Sequence, residues 1–210
     1  MTDHPIIFSA EMIRQLLSGK KIMTRRLLYS DRVAKNGIIP ASTTFLENHK
    51  PPHPAFTHYW VLTPWHTVKA GDRLYVREAF SYQEIDGDRI EEFGGIHYWA
   101  DGDPQFGNWT RPKPSIHLPR TLSRITLIVT SAKIERLQDI TEEDARAEGV
   151  SPRICGIGFN NEPIRGHRTG FVHLWGSLHG TDSWLDNPHV VALSFRVVAA
   201  NIDSPEAKAA

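Results

Sequence analysis

The sequence predicts a mixed α+β fold built around a small closed or nearly closed β-sheet. Alternating or continuous apolar runs indicate the main strands, at 73–78, 115–118, 123–137 and 190–198. Short amphipathic patterns indicate three helices, at 10–18, 141–149 and 171–180. Strands interleaved with short helices, without an internal repeat, are typical of one α+β domain, and the strand spacing favours a sheet that closes on itself.

The first helix follows a short apolar strand. Pro5-Ile6-Ile7-Phe8 reads as a buried strand, and Ser9 is a suitable N-cap for the segment that follows. Apolar residues then recur at helical spacing, at Met12, Ile13, Leu16 and Leu17. Gly19 provides the usual stop, so a helix is expected over residues 10–18.

The segment after Gly71-Asp72 is expected to be a strand with one buried face. Leu74 and Val76 alternate with Arg73, Tyr75 and Arg77. Because successive side chains of a strand point to opposite faces, the aliphatic residues should face the core. The polar face is then free to contribute to a site.

Two regions lack this regularity and are interpreted as long loop insertions, at about 30–64 and 81–114. The second contains one short strand candidate, 96–100. We therefore expect a single domain over residues 1–200 and a flexible tail over 201–210.

Two more helices are expected in the C-terminal half. Thr141-Glu142-Glu143-Asp144 is a capping-box pattern that opens a helix ending at Gly149. Residues 151–167 read as a loop, after which apolar residues recur with helical period up to Gly180. A final apolar strand is expected over 190–198.

Composition limits the classes of function. Lys plus Arg and Asp plus Glu number 24 each, so nucleic-acid binding would need a local basic patch. The single cysteine, Cys155, excludes an internal disulfide and a multi-cysteine zinc site. The eleven histidines and the single cysteine form no Cys/His ligand pattern, so no metal and no cofactor is expected. With no signal peptide or membrane span in the sequence, we expect a cytoplasmic protein without a membrane partner.

The most informative segment is the basic block Gly19-Lys20-Lys21-Ile22-Met23-Thr24-Arg25-Arg26. A lysine, a hydroxyl three residues later and two arginines suit an anionic or carbonyl-bearing ligand. The alternative is a solvated basic face, because cations are favourable beyond the C-terminus of a helix. Both interpretations remain open at this point.

Five segments together resemble the ASCH domain, a family within the PUA-like β-barrel group, and in particular its longer prophage-associated form. They are Gly19-Lys20-Lys21-x-x-Thr24-x-Arg26, Gly71-Asp72-Arg73-Leu74-Tyr75-Val76-Arg77-Glu78, Lys113-Pro114-Ser115-Ile116-His117-Leu118-Pro119-Arg120, Ser123-Arg124-Ile125-Thr126-Leu127 and Asp144-Ala145-x-Ala147-Glu148-Gly149. The resemblance implies a PUA-like small β-barrel and a nucleic-acid or modified-nucleoside ligand. A small bacterial branch of the family deacylates acetylcytidine with a lysine, a threonine and a glutamate.

Those three catalytic positions correspond to Lys21, Thr24 and Glu148. A threonine hydroxyl is a poor nucleophile unless a neighbouring base accepts its proton, and a lysine can do so when its surroundings disfavour the ammonium form. A carboxylate can orient the lysine or carry a proton to the leaving amine. Glu148 also lies in the last turn of its helix, against the dipole, which favours a functional explanation.

The remaining candidates are ligand-binding residues, namely Arg25, Arg26, Arg77, Glu78, Lys113, His117 and Arg120. Tyr98 and Trp99 could stack on a base, with ordinary packing as the alternative. The first hypothesis is a domain that binds RNA, a nucleobase or a modified nucleoside. The alternatives are an amidohydrolase using Lys21, Thr24 and Glu148, a ribonuclease, and a partner-binding protein that uses the two insertions.

Overall fold

The computed structural model describes residues 1–33, 58–85, 88–90, 95–157 and 162–209. The chain divides into two compact units. Unit 1 comprises Met1–Ile22, Ala70–Thr130 and Phe195–Ala210, and unit 2 comprises Met23–Lys69 and Ser131–Ser194. Much of the first expected insertion, residues 34–57, lies outside the described residues, as do residues 86–87 and 91–94 of the second.

The described residues form a mixed α+β structure, as predicted. The strands are β1 Asp3–Ile7, β2 Met23–Leu27, β3 Tyr29–Val33, β4 His58–Leu62, β5 Arg73–Arg77, β6 Phe80–Ile85, β7 Asp88–Ile90, β8 Ile96–Tyr98, β9 Asn108–Trp109, β10 Thr126–Arg136, β11 Arg153–Ile157, β12 Pro163–Gly166 and β13 His189–Val198. The α-helices are α1 Ala10–Leu17, α2 Glu142–Ala147, α3 His167–His179, α4 Asp182–Leu185 and α5 Pro205–Ala209. The pairings among the described strands follow open paths and do not close into a barrel. No helix in these ranges is both long and apolar enough to span a bilayer.

In unit 1, β5 lies between two partners. β1 pairs with it in parallel, from Asp3 opposite Arg73 to Ile7 opposite Arg77. The first residues of β10 pair with it antiparallel, with Thr126 opposite Tyr75. Leu74 and Val76 are fully buried, which confirms the predicted core face of this strand.

Helix α1 follows β1 as predicted. Ser9 caps it, because its hydroxyl accepts a hydrogen bond from the Met12 amide. Ile13 and Leu16 are buried on its inner side. Gly19 adopts a φ of 70°, in the left-handed region that a glycine enters without steric cost, so the chain leaves the helix there.

A second sheet of unit 1 occupies the region expected to be the irregular insertion 81–114. β6 pairs antiparallel with β7, β8 and β9. One face packs on a small core of Phe80, Tyr82 and Leu118. The strand candidate at 96–100 corresponds to β8. β6, β7 and β9 were missed because they have only two to six residues each and lie in a stretch rich in Gly, Pro and Asp.

The strand predicted at 115–118 is wrong. Ser115–His117 forms a 3-10 helix, and a second one, Arg120–Leu122, follows Pro119. Pro114 and Pro119 lack amide hydrogens and fix φ near −60°, so neither can take part in a strand ladder as a donor. Leu118 is nevertheless completely buried. The apolar pattern therefore indicated a buried residue correctly, but the backbone conformation predicted for the segment was wrong.

In unit 2, β2 pairs antiparallel with β13, and β3 pairs antiparallel with β4. Helices α2 and α3 cover a core that includes Leu137, Ile140, Ala145, Phe171, Trp175 and Val190. Thr141 and Asp144 form the predicted capping box at the start of α2. The expected loop 151–167 instead contains the hairpin of β11 and β12.

Helix α3 begins four residues before the first apolar residue of its pattern. The carboxylate of Glu142 accepts hydrogen bonds from the His167 and Arg168 amides, and so satisfies two donors at the helix N-terminus. Gly170 lets this helix approach the chain at Ser151, since a Cβ there would lie 2.2 Å from the Ser151 carbonyl oxygen. The local apolar pattern gives no information on these tertiary contacts, so it could not predict that the helix begins at His167.

The C-terminal segment differs from the expected flexible tail. Pro205–Ala209 forms α5, and Ile202 and Ala207 are buried. The Asn201 amide donates to the backbone carbonyls of Arg120 and Ser123. The segment therefore belongs to the packed part of unit 1.

Candidate functional site

The structure distributes the predicted site residues over both units. Lys21, Arg77, Glu78, Lys113, His117 and Arg120 belong to unit 1. Thr24, Arg25, Arg26 and Glu148 belong to unit 2. Arg25 contacts Glu148 directly and Arg26 lies within electrostatic range of it. These residues, with Thr24 on the same strand as the two arginines, form the candidate site.

Strand β2 presents the polar residues of this site on both of its faces. Its pairing with β13 places Thr24 opposite Leu193 and Arg26 opposite Val191. Because side chains alternate along a strand, Thr24 and Arg26 share one face and Arg25 lies on the other. Thr24 and Arg25 are buried, and Arg26 is half-buried.

The guanidinium of Arg25 is surrounded by three carboxylates. Its Nε and Nη2 donate to Glu135 Oε1 at 3.0 and 2.7 Å, and Nη2 also donates to Asp144 Oδ2 at 2.8 Å. Nη1 donates to Glu148 Oε1 at 3.4 Å. The Arg25 side chain is only 1% exposed, so every nitrogen of this group is engaged inside the protein. Such a geometry fits a residue that positions Glu148 better than one that binds a phosphate from solvent.

Glu148 lies at the C-terminal end of α2, where the sequence predicted it. It follows the last residue of α2, and its amide donates to the Asp144 carbonyl at 2.9 Å. The residue is 4% exposed. A buried carboxylate at a helix C-terminus is unfavourable by itself, and here the cation of Arg25 offsets that cost.

Arg26 adds a second cation near Glu148. Burial lowers the pKa of Arg26, and the Glu148 charge partly opposes that effect. The guanidinium carbon lies 5.7 Å from the centre of the Trp65 ring. The site therefore combines a partly desolvated cation, a flat aromatic ring and a buried carboxylate.

Two residues near Arg26 were missed by sequence reasoning. His179, the last residue of α3, stacks on Trp175 with ring centres 4.2 Å apart, and burial followed by the charge of Arg26 lowers its pKa. The i, i+4 spacing of Trp175 and His179 was a readable signal for their contact. Trp65 lies on a 3-10 helix within the Pro-rich region and carried no such signal.

Lys21 is the candidate catalytic residue of unit 1. It is 1% exposed, its ammonium lies 5.5 Å from the centre of the Phe8 ring, and its amide donates to the Gln15 carbonyl. Because Thr24 and Glu148 belong to unit 2, the catalytic set of all three stays a prediction.

Two other candidates of unit 1, Arg120 and Glu78, belong to separate ion-pair networks. Arg120 donates to both oxygens of Asp203, at 2.9 and 2.7 Å, and to Asp3 at 2.6 Å. Arg73 also donates twice to Asp3, at 2.9 Å. Burial raises the pKa of Asp3, but the hydrogen bonds from Arg73 and Arg120 outweigh it and leave that pKa lowered.

Glu78 belongs to the second network. Its two oxygens accept hydrogen bonds from Arg124 at 2.9 and 3.0 Å, and Arg124 also donates to Asp101. Burial raises the pKa of Glu78 in spite of the Arg124 cation. Both networks join residues far apart in the sequence, which explains why partners such as Arg124 and Asp101 were not anticipated.

The last three candidates have simpler surroundings. Arg77 donates to the Leu118 carbonyl at 2.8 Å. The Lys113 ammonium lies 5.4 Å from the centre of the Tyr82 ring, and His117 is exposed. Within the described ranges, no group of three or more His, Cys, Asp and Glu side chains is placed to share a metal ion.

Comparison of the chain with protein-family models, with curated proteins and with solved structures gives no match.

Proposed function

We propose that this chain is an ASCH-type module, related to the PUA-like folds, that binds RNA, a nucleobase or a modified nucleoside. The observation that carries the proposal is the environment of Glu148. This buried carboxylate is held by Arg25 and lies within electrostatic range of Arg26. Arg25, Arg26 and Glu148 lie in the segments 19–26 and 144–149, which contain the three positions that correspond to the catalytic residues of the family's deacylase branch.

The chemistry of the group suits a cytosine-type base. A carboxylate accepts a hydrogen bond from the exocyclic amine of cytosine, and an arginine can contact a phosphate or stack on a base. Trp65 supplies a flat ring next to Arg26, as base-stacking sites require. Arg25, in turn, keeps the carboxylate in one orientation through its hydrogen bonds to Glu135 and Asp144.

Calorimetric titration with cytidine, with N4-acetylcytidine and with a short RNA tests the proposal. We expect Glu148→Gln to weaken binding of the base about tenfold or more, because the amide loses the charged acceptor. Glu143→Gln, an exposed acid on the same helix, is the matched control and should bind as the wild type does. Binding of the RNA should also weaken as salt rises. If none of the three ligands binds at low salt, the proposal is wrong.

The alternative is an amidohydrolase that acts on acylated cytidine. The burial of Lys21 and Thr24, at 1% and 4% exposure, favours it, because reactive lysines and hydroxyls work in sites shielded from water. Thr24 Oγ would attack the acyl carbonyl while Lys21 accepts its proton. The C–N bond would then break, with the amine leaving as a neutral group after protonation through Glu148. Water would hydrolyse the resulting Thr24 ester and release the acid.

Release of cytidine and acetate from N4-acetylcytidine distinguishes catalysis from binding. Lys21→Ala should abolish turnover and leave the circular dichroism spectrum unchanged. Turnover equal to the wild type in that variant would end this alternative. The weaker alternative, a ribonuclease, predicts cleavage of the RNA in the same samples.

A further inference from the structure

Among the described strands, β2 lies at the end of its sheet and pairs with β13 alone. The Leu28 amide donates to the His189 carbonyl at 3.0 Å, which fixes the phase of this antiparallel ladder. Along such a ladder, hydrogen-bonded pairs alternate with pairs whose backbone groups point away from the partner strand. Thr24 and Arg26 therefore bond to β13, whereas the amide and carbonyl of Arg25 point to the outer edge of the strand.

The outer edge of β2 is occupied at one position and open at the next. The Leu27 carbonyl, which faces this edge, accepts a hydrogen bond from the Thr63 hydroxyl at 2.7 Å. At Arg25, two residues earlier, no hydrogen bond from the described parts of the chain reaches the backbone amide or carbonyl on that side. The edge is therefore paired where the chain supplies a partner, and one donor and one acceptor stay available at Arg25.

The surroundings of Arg25 make open backbone groups unfavourable. The whole residue is 5% exposed and its side chain 1%, so most of its remaining surface belongs to the backbone. A backbone donor or acceptor that is largely shielded from bulk water destabilises the protein unless another group pairs with it. The two groups of Arg25 are reachable only through a narrow opening, and a ligand that enters it gains both hydrogen bonds.

The open edge belongs to the candidate site of unit 2. The side chain of Arg25 holds Glu148, with Nη1 3.4 Å from Oε1. Trp65 follows Thr63 by two residues, and its ring centre lies 5.7 Å from the guanidinium carbon of Arg26. The strand that carries the ligand-binding side chains thus also carries the available backbone groups.

The backbone of one strand residue matches one edge of cytosine. In an extended strand the amide and carbonyl of a residue point to the same side, so Arg25 offers a donor next to an acceptor. Cytosine offers the complement, with the ring nitrogen N3 as acceptor beside the exocyclic amine as donor. A base bound here would take the place of a neighbouring strand.

We propose that the backbone of Arg25 recognises the base, with its amide donating to N3 of cytosine and its carbonyl accepting one hydrogen of the exocyclic amine. The amine carries a second hydrogen, which stays available for Glu148. The inference rests on the proposed function for the ligand class and deepens it, because it makes the edge of β2 a second determinant of specificity. N4-acetylcytidine has one hydrogen on this nitrogen and cannot serve both acceptors, so cytidine should bind more tightly.

Calorimetric titration with cytidine and with 3-deazacytidine tests the proposal on the full chain. In 3-deazacytidine a C–H group replaces N3, and the amine that Glu148 accepts from is retained. We expect this analogue to bind about tenfold more weakly than cytidine, because the Arg25 amide loses its acceptor. Equal affinities for the two nucleosides would overturn the proposal.

Amide hydrogen exchange followed by NMR gives a second measurement at Arg25. In the free chain this amide should exchange faster than those of Thr24 and Arg26, which bond to β13 and serve as internal controls. Saturating cytidine should slow the exchange of the Arg25 amide about tenfold, and saturating 3-deazacytidine should not. An Arg25 amide that cytidine leaves unchanged would mean that only water pairs with this edge, and it would also overturn the proposal.

The outcomes separate this proposal from the proposed function. If cytidine binds and Glu148→Gln weakens that binding, but 3-deazacytidine binds equally well, the proposed function stands and the role given to the Arg25 backbone is wrong. If cytidine does not bind, or binds regardless of Glu148→Gln, the proposed function fails and this inference fails with it.

Discussion

At the scale of single residues, Arg25 has the most definite role. Its buried guanidinium forms ion pairs with Glu135, Asp144 and Glu148. Glu135 lies on β10, Asp144 in the first turn of α2, and Glu148 directly after α2. The sequence predicted Arg25 and Glu148 as site residues, but it contained no sign of Glu135. Partners about 110 residues apart have no local pattern, and only the fold brings them together.

Loss of the Arg25 charge should destabilise the protein strongly. Arg25→Met leaves three carboxylates around an apolar side chain, and breaking a buried ion pair costs about 3–5 kcal/mol. Urea denaturation measures the change in the free energy of unfolding. Arg146→Met, an exposed arginine on α2, is the control and should change it by less than about 0.5 kcal/mol. Equal effects of the two substitutions would contradict the role given to Arg25.

His179 should make stability depend on pH. Burial and the charge of Arg26 hold the pKa of His179 below its usual 6.5, so on acidification the unfolded chain takes up a proton before the folded chain does. The free energy of unfolding therefore falls as pH decreases through 6.5, and His179→Gln should remove part of that fall. Urea denaturation at about pH 7.5 and about pH 5.5 measures it. A variant that keeps the full wild-type fall would contradict this explanation.

At the scale of elements, helix α3 shows how tertiary contacts alter a correct local prediction. Its apolar period and its stop at Gly180 were read from the sequence. Its start at His167 was not, because it depends on the Glu142 carboxylate and on the close approach of Gly170 to Ser151. The small strands β6, β7 and β9 were missed for a related reason, because each is too short for its period to be recognised.

Two glycines of α3 give a matched pair of substitutions. A Cβ at Gly170 would lie 2.2 Å from the Ser151 carbonyl oxygen, whereas a Cβ at Gly176 would meet Thr181 Cα at 3.9 Å, an ordinary contact. Gly170→Ala should lower the free energy of unfolding by about 1–3 kcal/mol. Gly176→Ala should raise it by up to about 1 kcal/mol, because alanine favours the helix. Thermal unfolding of both variants measures the difference, and a stabilised Gly170→Ala would contradict the close approach.

At the scale of the whole molecule, the sequence predicted the α+β class and most of the longer elements. β5, β10 and β13 were recognisable because their residues alternate or are continuously apolar, and α1 and α2 because each has a clear cap. The division of the chain into two units was not predicted, since each unit is assembled from separate stretches of sequence. For the same reason the basic block is split, with Lys21 in unit 1 and Thr24 to Arg26 in unit 2.

The most direct test of the central claim is a cytidine titration followed by amide NMR. If the group around Glu148 binds the base, the largest shifts should occur at the amides of Thr24, Arg25 and Arg26 and at those of Ala147 to Gly149. Glu148→Gln should reduce these shifts at equal cytidine concentration. Shifts that are absent, or that occur only at residues away from β2 and the end of α2, would contradict the claim.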